Sequence, residues 1–239
     1  MDEFTYSNIF DTKGIEYLII IAFLFLIIPF WLTLNKPLMM KEKIGLALST
    51  LSENILRIPQ GLFYSKNHTW THLEMSGNAT IGVDDLLLHL TGRVAMSNLK
   101  VPGESVAKGE CIALLSQNGK QLKITSPLSG EIQNVNHSLS EKTGLINSDP
   151  YENGWIYKIK PDNWKDETST FLFASQAIAW SKEELSRFKD FIAISLEKYA
   201  PETAKVVLQE GGELIDHPMA ELPKELWNDF QTQFLNKLD

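Results

Sequence analysis

The sequence predicts a mainly β protein with a hydrophobic helix at its N-terminus and a helical extension at its C-terminus. Short strand-like runs separated by turn residues fill the middle of the chain, a long apolar run precedes them, and helix-periodic apolar residues follow them. The predicted segments are a short N-terminal stretch, a transmembrane helix, a juxtamembrane amphipathic helix, a β domain and a helical extension, at residues 1–14, 15–34, 40–58, 61–163 and 168–239.

Composition and charge narrow the class of partner. The chain has 239 residues, of which 44% are hydrophobic, as expected for a globular protein. Its net charge of −8 argues against a nucleic-acid partner, because binding to phosphates needs clustered basic residues. The single cysteine, Cys111, excludes an internal disulfide and lies in an apolar run, which favours a buried structural thiol.

The apolar run Ile15 to Leu34 predicts an uncleaved membrane anchor. As a helix that rises about 1.5 Å per residue, this run reaches about 30 Å, the thickness of a bilayer core. A cleaved signal peptide is the alternative, but the residues before the run are acidic overall and no small-residue cleavage site follows it. Lys13 precedes the run, whereas Lys36, Lys41 and Lys43 follow it. We therefore expect a single-pass protein of the inner or cytoplasmic membrane, with the N-terminus outside and the C-terminal domains in the cytoplasm.

Between the anchor and the β domain, apolar residues recur at helical spacing. Ile44, Leu48, Leu51 and Ile55 predict the juxtamembrane amphipathic helix over residues 40–58, which ends before a proline. Its apolar face could meet either lipid or the following domain, and the pattern does not decide between them.

The middle of the chain contains short strand patterns with turn signals between them. The Asn118-Gly119 pair is the strongest short signal for a two-residue type I′ hairpin turn, because both central residues of that turn need a positive φ. Many short strands at close spacing indicate a small β-barrel or sandwich rather than a β-α-β fold. We expect Trp155, in the last strand, to be buried. The strand patterns are NATIGV, ECIALLSQ, KQLKITS, GEIQNVN and GWIYKIK.

The C-terminal part has the apolar periodicity of helices. Ser181 and Glu184 form a capping box that predicts a helix start, and Pro223 predicts the start of a last helix. Apolar stripes of this kind are more often core than docking faces. The two stripes are Leu185, Phe188, Ile192, Leu196 and Tyr199 in the first helix, and Leu226, Trp227, Phe230 and Phe234 in the last.

Several motifs of the β-rich middle occur in the order found in one known family. They are Tyr64, His68 and Trp70 in YSKNHTW, followed by ATIGVDD, SPLSGEIQNVN and LINSDPYENGWIYKIK. On these motifs the segment resembles the H protein of the glycine cleavage system. The resemblance implies a lipoyl/H-protein-like β-barrel sandwich and leaves both ends of the chain unexplained.

The resemblance also implies where a lipoyl group would be attached. The family attaches lipoate to a lysine before its Ser-Pro-x-Ser-Gly motif, and counting back from Pro127 places that position at Gly119. The glutamate that precedes the lysine in the family corresponds to Ser116. Lys120 comes one residue later, and a shift of one residue along a strand turns the side chain to the opposite face. We therefore expect Lys120 to be a solubilising charge, with lipoate attachment to it as the alternative.

These observations predict a non-enzymatic, membrane-anchored interaction or scaffold subunit with an unlipoylated H-like domain. A membrane-bound redox complex is one assembly to which such a subunit could belong. One alternative is a lipoyl carrier of glycine cleavage or a related lipoate-dependent transfer, using Lys120. Another is a catalytic protein whose site lies in the C-terminal helices. We expect protein partners and the membrane as contacts, and no cofactor unless Lys120 carries lipoate.

The remaining polar candidates predict structural roles. His68 and His72 fall on one side of a predicted strand but offer a metal ion only two ligands, so no metal site is predicted. Asp84, Asp85 and Asp149 are typical of turn and cap residues. The sequence has no P-loop, Gly-x-Gly-x-x-Gly, Gly-x-Ser-x-Gly or Cys-x-x-Cys motif, and no catalytic residue is predicted.

Overall fold

A computed structural model divides the chain into two compact units, Met1–Gly45 and Leu46–Asp239. In the first unit, helix α1 spans Ile9–Leu34. Its side chains are described from Tyr17 to Trp31, where all are exposed, and within the described residues no helix is long and apolar enough to cross a membrane. The anchor predicted over residues 15–34 stays a prediction. The residues described in the whole chain are 9–34, 50–51, 55–142, 144–199 and 214–236.

The second unit is built from antiparallel strands with short helices between them. In chain order the strands are β1 (Thr50–Leu51), β2 (Phe63–Tyr64), β3 (Thr69–Leu73), β4 (Ala79–Val83), β5 (Ala95–Asn98), β6 (Ser105–Val106), β7 (Cys111–Gln117), β8 (Lys120–Thr125), β9 (Gly130–Val135), β10 (Tyr157–Pro161), β11 (Leu172–Phe173) and β12 (Leu214–Ile215). The helices are α2 (Asp85–Thr91), α3 (Ser138–Glu141), α4 (Leu145–Ser148), α5 (Trp164–Glu167), α6 (Ser175–Tyr199) and α7 (Lys224–Asp229), which a π-helical turn, Phe230–Leu235, continues.

Two sheets form the β domain. The larger has the strand order β11-β2-β3-β4-β10-β9-β6, and the smaller has the order β5-β7-β8. Strands β3 and β4 pair in register from Thr69 opposite Val83 to Leu73 opposite Ala79, and β4 pairs in turn with β10. All five positions of β4 are buried, as expected for a strand in the middle of a sheet that is covered on both faces. The prediction of a mainly β fold, with strands at NATIGV, ECIALLSQ, KQLKITS, GEIQNVN and GWIYKIK, is confirmed.

One hydrophobic core joins the β domain to the C-terminal helices. Buried residues of the sheets, such as Ile81 and Leu122, belong to the same apolar cluster as Phe188 of α6 and Trp227 of α7. The predicted stripe of α6 is buried except for the partly exposed Tyr199, and the four predicted apolar residues of the last helix are all buried. Both stripes therefore serve as core.

Three predictions of local structure need correction. Within the amphipathic helix predicted over residues 40–58, Thr50 and Leu51 form a strand instead, because they pair with Ile215 and Leu214 of β12; residues 40–49 and 52–54 lie outside the described part. Helix α6 begins at Ser175, so Ser181 is an interior residue whose hydroxyl donates to the carbonyl oxygen of Ile178. Trp155 is only half-buried, because it lies in the approach to β10 rather than within that strand.

Candidate functional site

The β7–β8 hairpin ends in the predicted two-residue turn. Gln117 pairs with Lys120 as the last pair of the ladder, and Asn118 and Gly119 between them have φ values of 49° and 78°. Two successive positive φ angles are typical of the type I′ turn. Both turn residues are exposed, and a Cβ at Gly119 would meet no atom within 4 Å. A side chain at position 119 would therefore point into open space, at the cost of a φ that favours glycine.

Lys120 lies on the inner face of β8, where only 8% of the residue is exposed. Its ammonium group, Nζ, donates hydrogen bonds to the carbonyl oxygens of Ala220 at 2.6 Å, Leu222 at 3.1 Å and Met219 at 3.4 Å. The same Nζ lies 4.9 Å from the centroid of the Trp227 ring, within cation–π range. Burial lowers the pKa of Lys120, and the nearby Glu221 opposes that shift. The expectation of a solubilising charge is wrong, because this lysine is enclosed.

The segment that encloses Lys120 is held in place by its own contacts. The backbone N–H of Met219 donates to the carbonyl oxygen of Leu90 on α2 at 3.0 Å, and the N–H of His217 donates to that of His89 at 2.9 Å. The indole N–H of Trp227 donates to the carbonyl oxygen of Met219 at 2.8 Å. This covering segment, residues 214–222, is thereby joined both to α2 and to α7.

His68 forms a second buried polar centre. The side chain is fully buried, with Nδ1 2.9 Å from Asp84 Oδ2 and Nε2 3.2 Å from Glu184 Oε1. Although burial alone lowers the pKa of His68, the Asp84 and Glu184 carboxylates raise it to about 9. His68 therefore carries a proton on both ring nitrogens at neutral pH and links two carboxylates.

His68 and His72 do not share one face of a strand, in contrast to what the sequence pattern suggested. His68 has a φ of 58° and precedes β3, whereas His72 lies within β3 and is exposed. The structural use of His68 predicted from the sequence agrees with its buried contacts.

Glu184 extends the His68 network into the helical extension. Its carboxylate pairs with the guanidinium of Arg187, and Arg187 Nη2 also donates to the carbonyl oxygen of Phe234 at 3.1 Å. Burial alone would raise the pKa of Glu184, but hydrogen bonds from His68 and Arg187 lower it to about 2. A chain of opposite charges therefore connects the start of β3 with α6 and the last helical turn.

The other predicted polar residues act in caps and turns. Asp84 is the N-cap of α2, and its carboxylate accepts the N–H of Leu87 at 2.8 Å. Asp149 accepts the N–H groups of Glu152 and Asn153 in a turn. Cys111 is half-buried, and its thiol donates to the carbonyl oxygen of Ala113.

Comparison with known proteins places this architecture in a family. The profile of the family described as Glycine cleavage H-protein matches residues 62–184, which is just over half of the chain. The chain belongs to the glycine cleavage H-protein family. The mitochondrial glycine cleavage system H protein of Pisum sativum is 38% identical over 138 residues, which cover 58% of this chain and 81% of the relative. The glycine cleavage system H protein of Salmonella arizonae is 35% identical over 127 residues, 53% of this chain and 98% of the relative.

One solved structure is similar to part of this chain. The crystal structure of a glycine cleavage system H protein from Mycobacterium marinum aligns with 52% of this chain and 98% of its own, at 24% sequence identity and a TM-score of 0.46.

The main contacts of the site join residues that are far apart in the sequence. Lys120 of the H-protein domain and its carbonyl acceptors are about a hundred positions apart, and His68 and Glu184 are separated by 116. Contacts between such distant residues cannot be predicted from a short sequence motif. One local signal was available: in KQLKIT, alternation places Lys120 on the same face as Leu122 and Ile124, both of which are buried.

Proposed function

We propose that this protein is a non-enzymatic, membrane-anchored interaction subunit whose H-protein domain carries no lipoate. One observation carries the proposal: the exposed hairpin tip is Asn118-Gly119, and the adjacent lysine is buried against the C-terminal segment. A lipoyl carrier needs its attachment lysine at an accessible position, so that the arm can reach other proteins. Here the accessible position has no lysine, and the lysine is not accessible.

The chemistry of lipoylation argues further against Lys120 as an attachment site. Lipoate forms an amide with the lysine nitrogen, which replaces three N–H donors with a single one and removes the positive charge. The remaining N–H could reach at most one of the carbonyls of Met219, Ala220 and Leu222. Because Met219 also accepts from the indole N–H of Trp227, at least one of Ala220 and Leu222 would be left without its donor. The alternative function, a lipoyl carrier that uses Lys120, requires the covering segment to detach before modification.

Mass spectrometry of the native protein tests the proposal. The full-length chain is purified from its native membrane and from a lipoate-proficient host, and its intact mass and the peptide containing Lys120 are measured. We expect the unmodified mass in both samples, while the host's own lipoylated proteins serve as the positive control. A lipoyl-sized increment on this peptide that disappears in the Lys120→Arg variant would refute the proposal and establish the carrier function.

The membrane attachment in the proposal rests on the sequence from Ile15 to Leu34 and on the lysines that follow it. We expect the full chain to stay in the membrane fraction after extraction with alkaline carbonate. Protease added to sealed, right-side-out vesicles should leave residues 61–239 intact, whereas protease added after detergent should digest them. Digestion in sealed vesicles would show that the C-terminal domains lie outside. Release of the chain by carbonate would show that residues 15–34 do not anchor it in the membrane.

The role as an interaction subunit rests on the family. The relatives are named as components of a glycine cleavage system, and a component of a multi-protein system contacts other proteins. Extraction in a mild detergent followed by affinity purification and mass spectrometry tests this role. We expect defined partners to copurify with the wild-type chain in fixed ratios, and a chain that purifies alone from native membranes would contradict it.

A further inference from the structure

Three metal-binding side chains converge where the covering segment crosses α2. His89 lies on α2, and Asp216 and His217 directly follow β12. One ligand atom from each residue can be chosen so that all three lie within 4.8 Å of one another. The distance from His89 Nδ1 to Asp216 Oδ1 is 2.8 Å, and the distance from His217 Nε2 to Asp216 Oδ2 is 3.4 Å. Asp216 therefore contacts both imidazole rings.

Two further hydrogen bonds, one to a backbone carbonyl and one to the carboxylate of Asp85, fix the orientation of the rings. His217 Nδ1 is 3.0 Å from the carbonyl oxygen of His89, which can only accept a hydrogen bond, so Nδ1 carries the proton and Nε2 keeps its lone pair. His89 Nε2 is 3.4 Å from the buried carboxylate of Asp85, which likewise holds the proton on that nitrogen. The backbone N–H of Arg57 donates to this carboxylate at 2.8 Å and holds it in place. Each ring therefore directs its other nitrogen towards Asp216.

This arrangement has the parts of a metal site and of its supporting shell. Histidines that bind zinc commonly donate their second N–H to a carboxylate or a backbone carbonyl, which orients the ring. Around a tetrahedral ion with bonds of about 2.0–2.2 Å, neighbouring ligand atoms stand roughly 3.3 Å apart. The separations of 2.8 and 3.4 Å, which involve different oxygens of Asp216, lie on either side of that value, and one ligand atom from each residue fits within 4.8 Å of the other two. The three residues also line a cavity of about 350 Å³, which leaves space for a water molecule as a fourth ligand.

We propose that His89, Asp216 and His217 bind a divalent transition-metal ion of the zinc type. Two imidazoles and one carboxylate favour zinc and its neighbours over calcium or magnesium, which prefer ligand sets of oxygen alone. The proton that His89 Nδ1 shares with Asp216 leaves when the metal binds. The ion joins α2 to the covering segment, residues 214–222, and adds a metal bridge to the backbone hydrogen bonds between them. This site is independent of the proposed function, since it needs neither the anchor nor the absence of lipoate.

Metal titration of the untagged full-length chain in detergent tests the site. After chelator treatment, Zn²⁺ binding is measured by calorimetry, and Co²⁺ binding by the absorption spectrum of the ion. We expect one equivalent to bind and the thermal unfolding midpoint to rise with Zn²⁺. His217→Ala and His89→Ala should each weaken binding at least about tenfold, and Asp85→Asn should weaken it about 10–100-fold through the lost support of His89. His72→Ala, which removes an exposed histidine on β3, is the matched control and should bind as the wild type does.

Two results would overturn the proposal. One is the absence of Zn²⁺ binding by the wild-type chain at concentrations up to millimolar. The other is a loss of affinity in His72→Ala as large as that in His217→Ala, which would indicate adventitious binding to surface histidines. Circular dichroism in the absence of metal establishes that each variant is folded. If the His217→Ala variant does not fold, His217→Asn replaces it, because asparagine keeps an N–H donor but has no imidazole to bind the metal.

Discussion

Replacing Lys120 by methionine tests the enclosed lysine directly. Methionine has a flexible, unbranched stem of similar reach, so the contact with Trp227 is largely kept while the three N–H donors are removed. The carbonyl oxygen of Met219 retains the indole N–H of Trp227 at 2.8 Å. The carbonyls of Ala220 and Leu222, which accepted from Nζ at 2.6 and 3.1 Å, lose that donor. All three carbonyls lose Nζ, but only those of Ala220 and Leu222 are left without a second donor.

The size of the effect follows from these two carbonyls. A buried acceptor that loses its donor costs about 1–3 kcal/mol. The carbonyl of Ala220 is only partly buried and can take up water, and removing a buried ammonium recovers part of its desolvation cost. We therefore expect Lys120→Met to lower the free energy of unfolding by about 2–4 kcal/mol.

Denaturant unfolding of the full-length chain in detergent, followed by tryptophan fluorescence, measures this loss. Lys123→Met is the matched control, because Lys123 is on the same strand but exposed. That variant should stay within about 0.5 kcal/mol of the wild type. A Lys120→Met variant as stable as the Lys123→Met variant would show that the covering segment does not hold the lysine, and the main argument against lipoylation would fail with it.

Three further predictions concern the histidine network, the core and the hairpin. Because the pKa of His68 is raised from 6.5 to about 9, its contribution to stability is complete below pH 6.5 and is lost as the pH rises through 9. Unfolding free energies across this range should fall less steeply in His68→Gln than in the wild type or in His72→Ala, and equal slopes would refute the assignment. Phe188→Ala should cost about 3–5 kcal/mol in denaturant unfolding, whereas Ile194→Ala on the exposed face of the same helix should cost less than about 0.5 kcal/mol; similar losses would contradict the burial. Gly119→Lys should cost about 1 kcal/mol because of the positive φ, with little lipoylation by intact mass, and efficient modification would show that only the lysine is missing.

The sequence was sufficient where local chemistry decides the structure. The Asn118-Gly119 turn follows from the need for two positive φ angles, and Asp84 caps α2 because a carboxylate can accept a free N–H there. The buried stripe of α6 follows from helical periodicity, although the helix begins before its apparent capping box at Ser181. These features depend on residues that are neighbours in the chain.

The features that the sequence did not predict depend on contacts with residues that are far away in the sequence. Thr50 and Leu51 fit a helical pattern, but pairing with β12 across more than 160 positions makes them a strand. The one-residue shift from Gly119 predicts that Lys120 turns away from the attachment position and is a solubilising charge. Alternation along β8 instead places it beside the buried Leu122, and carbonyls from the far end of the chain accept its hydrogen bonds. A buried lysine needs such acceptors, and here they lie about a hundred positions away in the sequence.

Because the β domain and the C-terminal helices share one core, the segment that matches the family is not a separate folding unit. The segment that matches the family ends at residue 184, and that residue, Glu184, bonds both to His68 inside the segment and to Arg187 outside it. A chain cut there would lose the partners of Lys120 and expose the apolar surface that Phe188 and Trp227 cover. We therefore expect residues 62–184 to be unstable when they are produced without the helical extension.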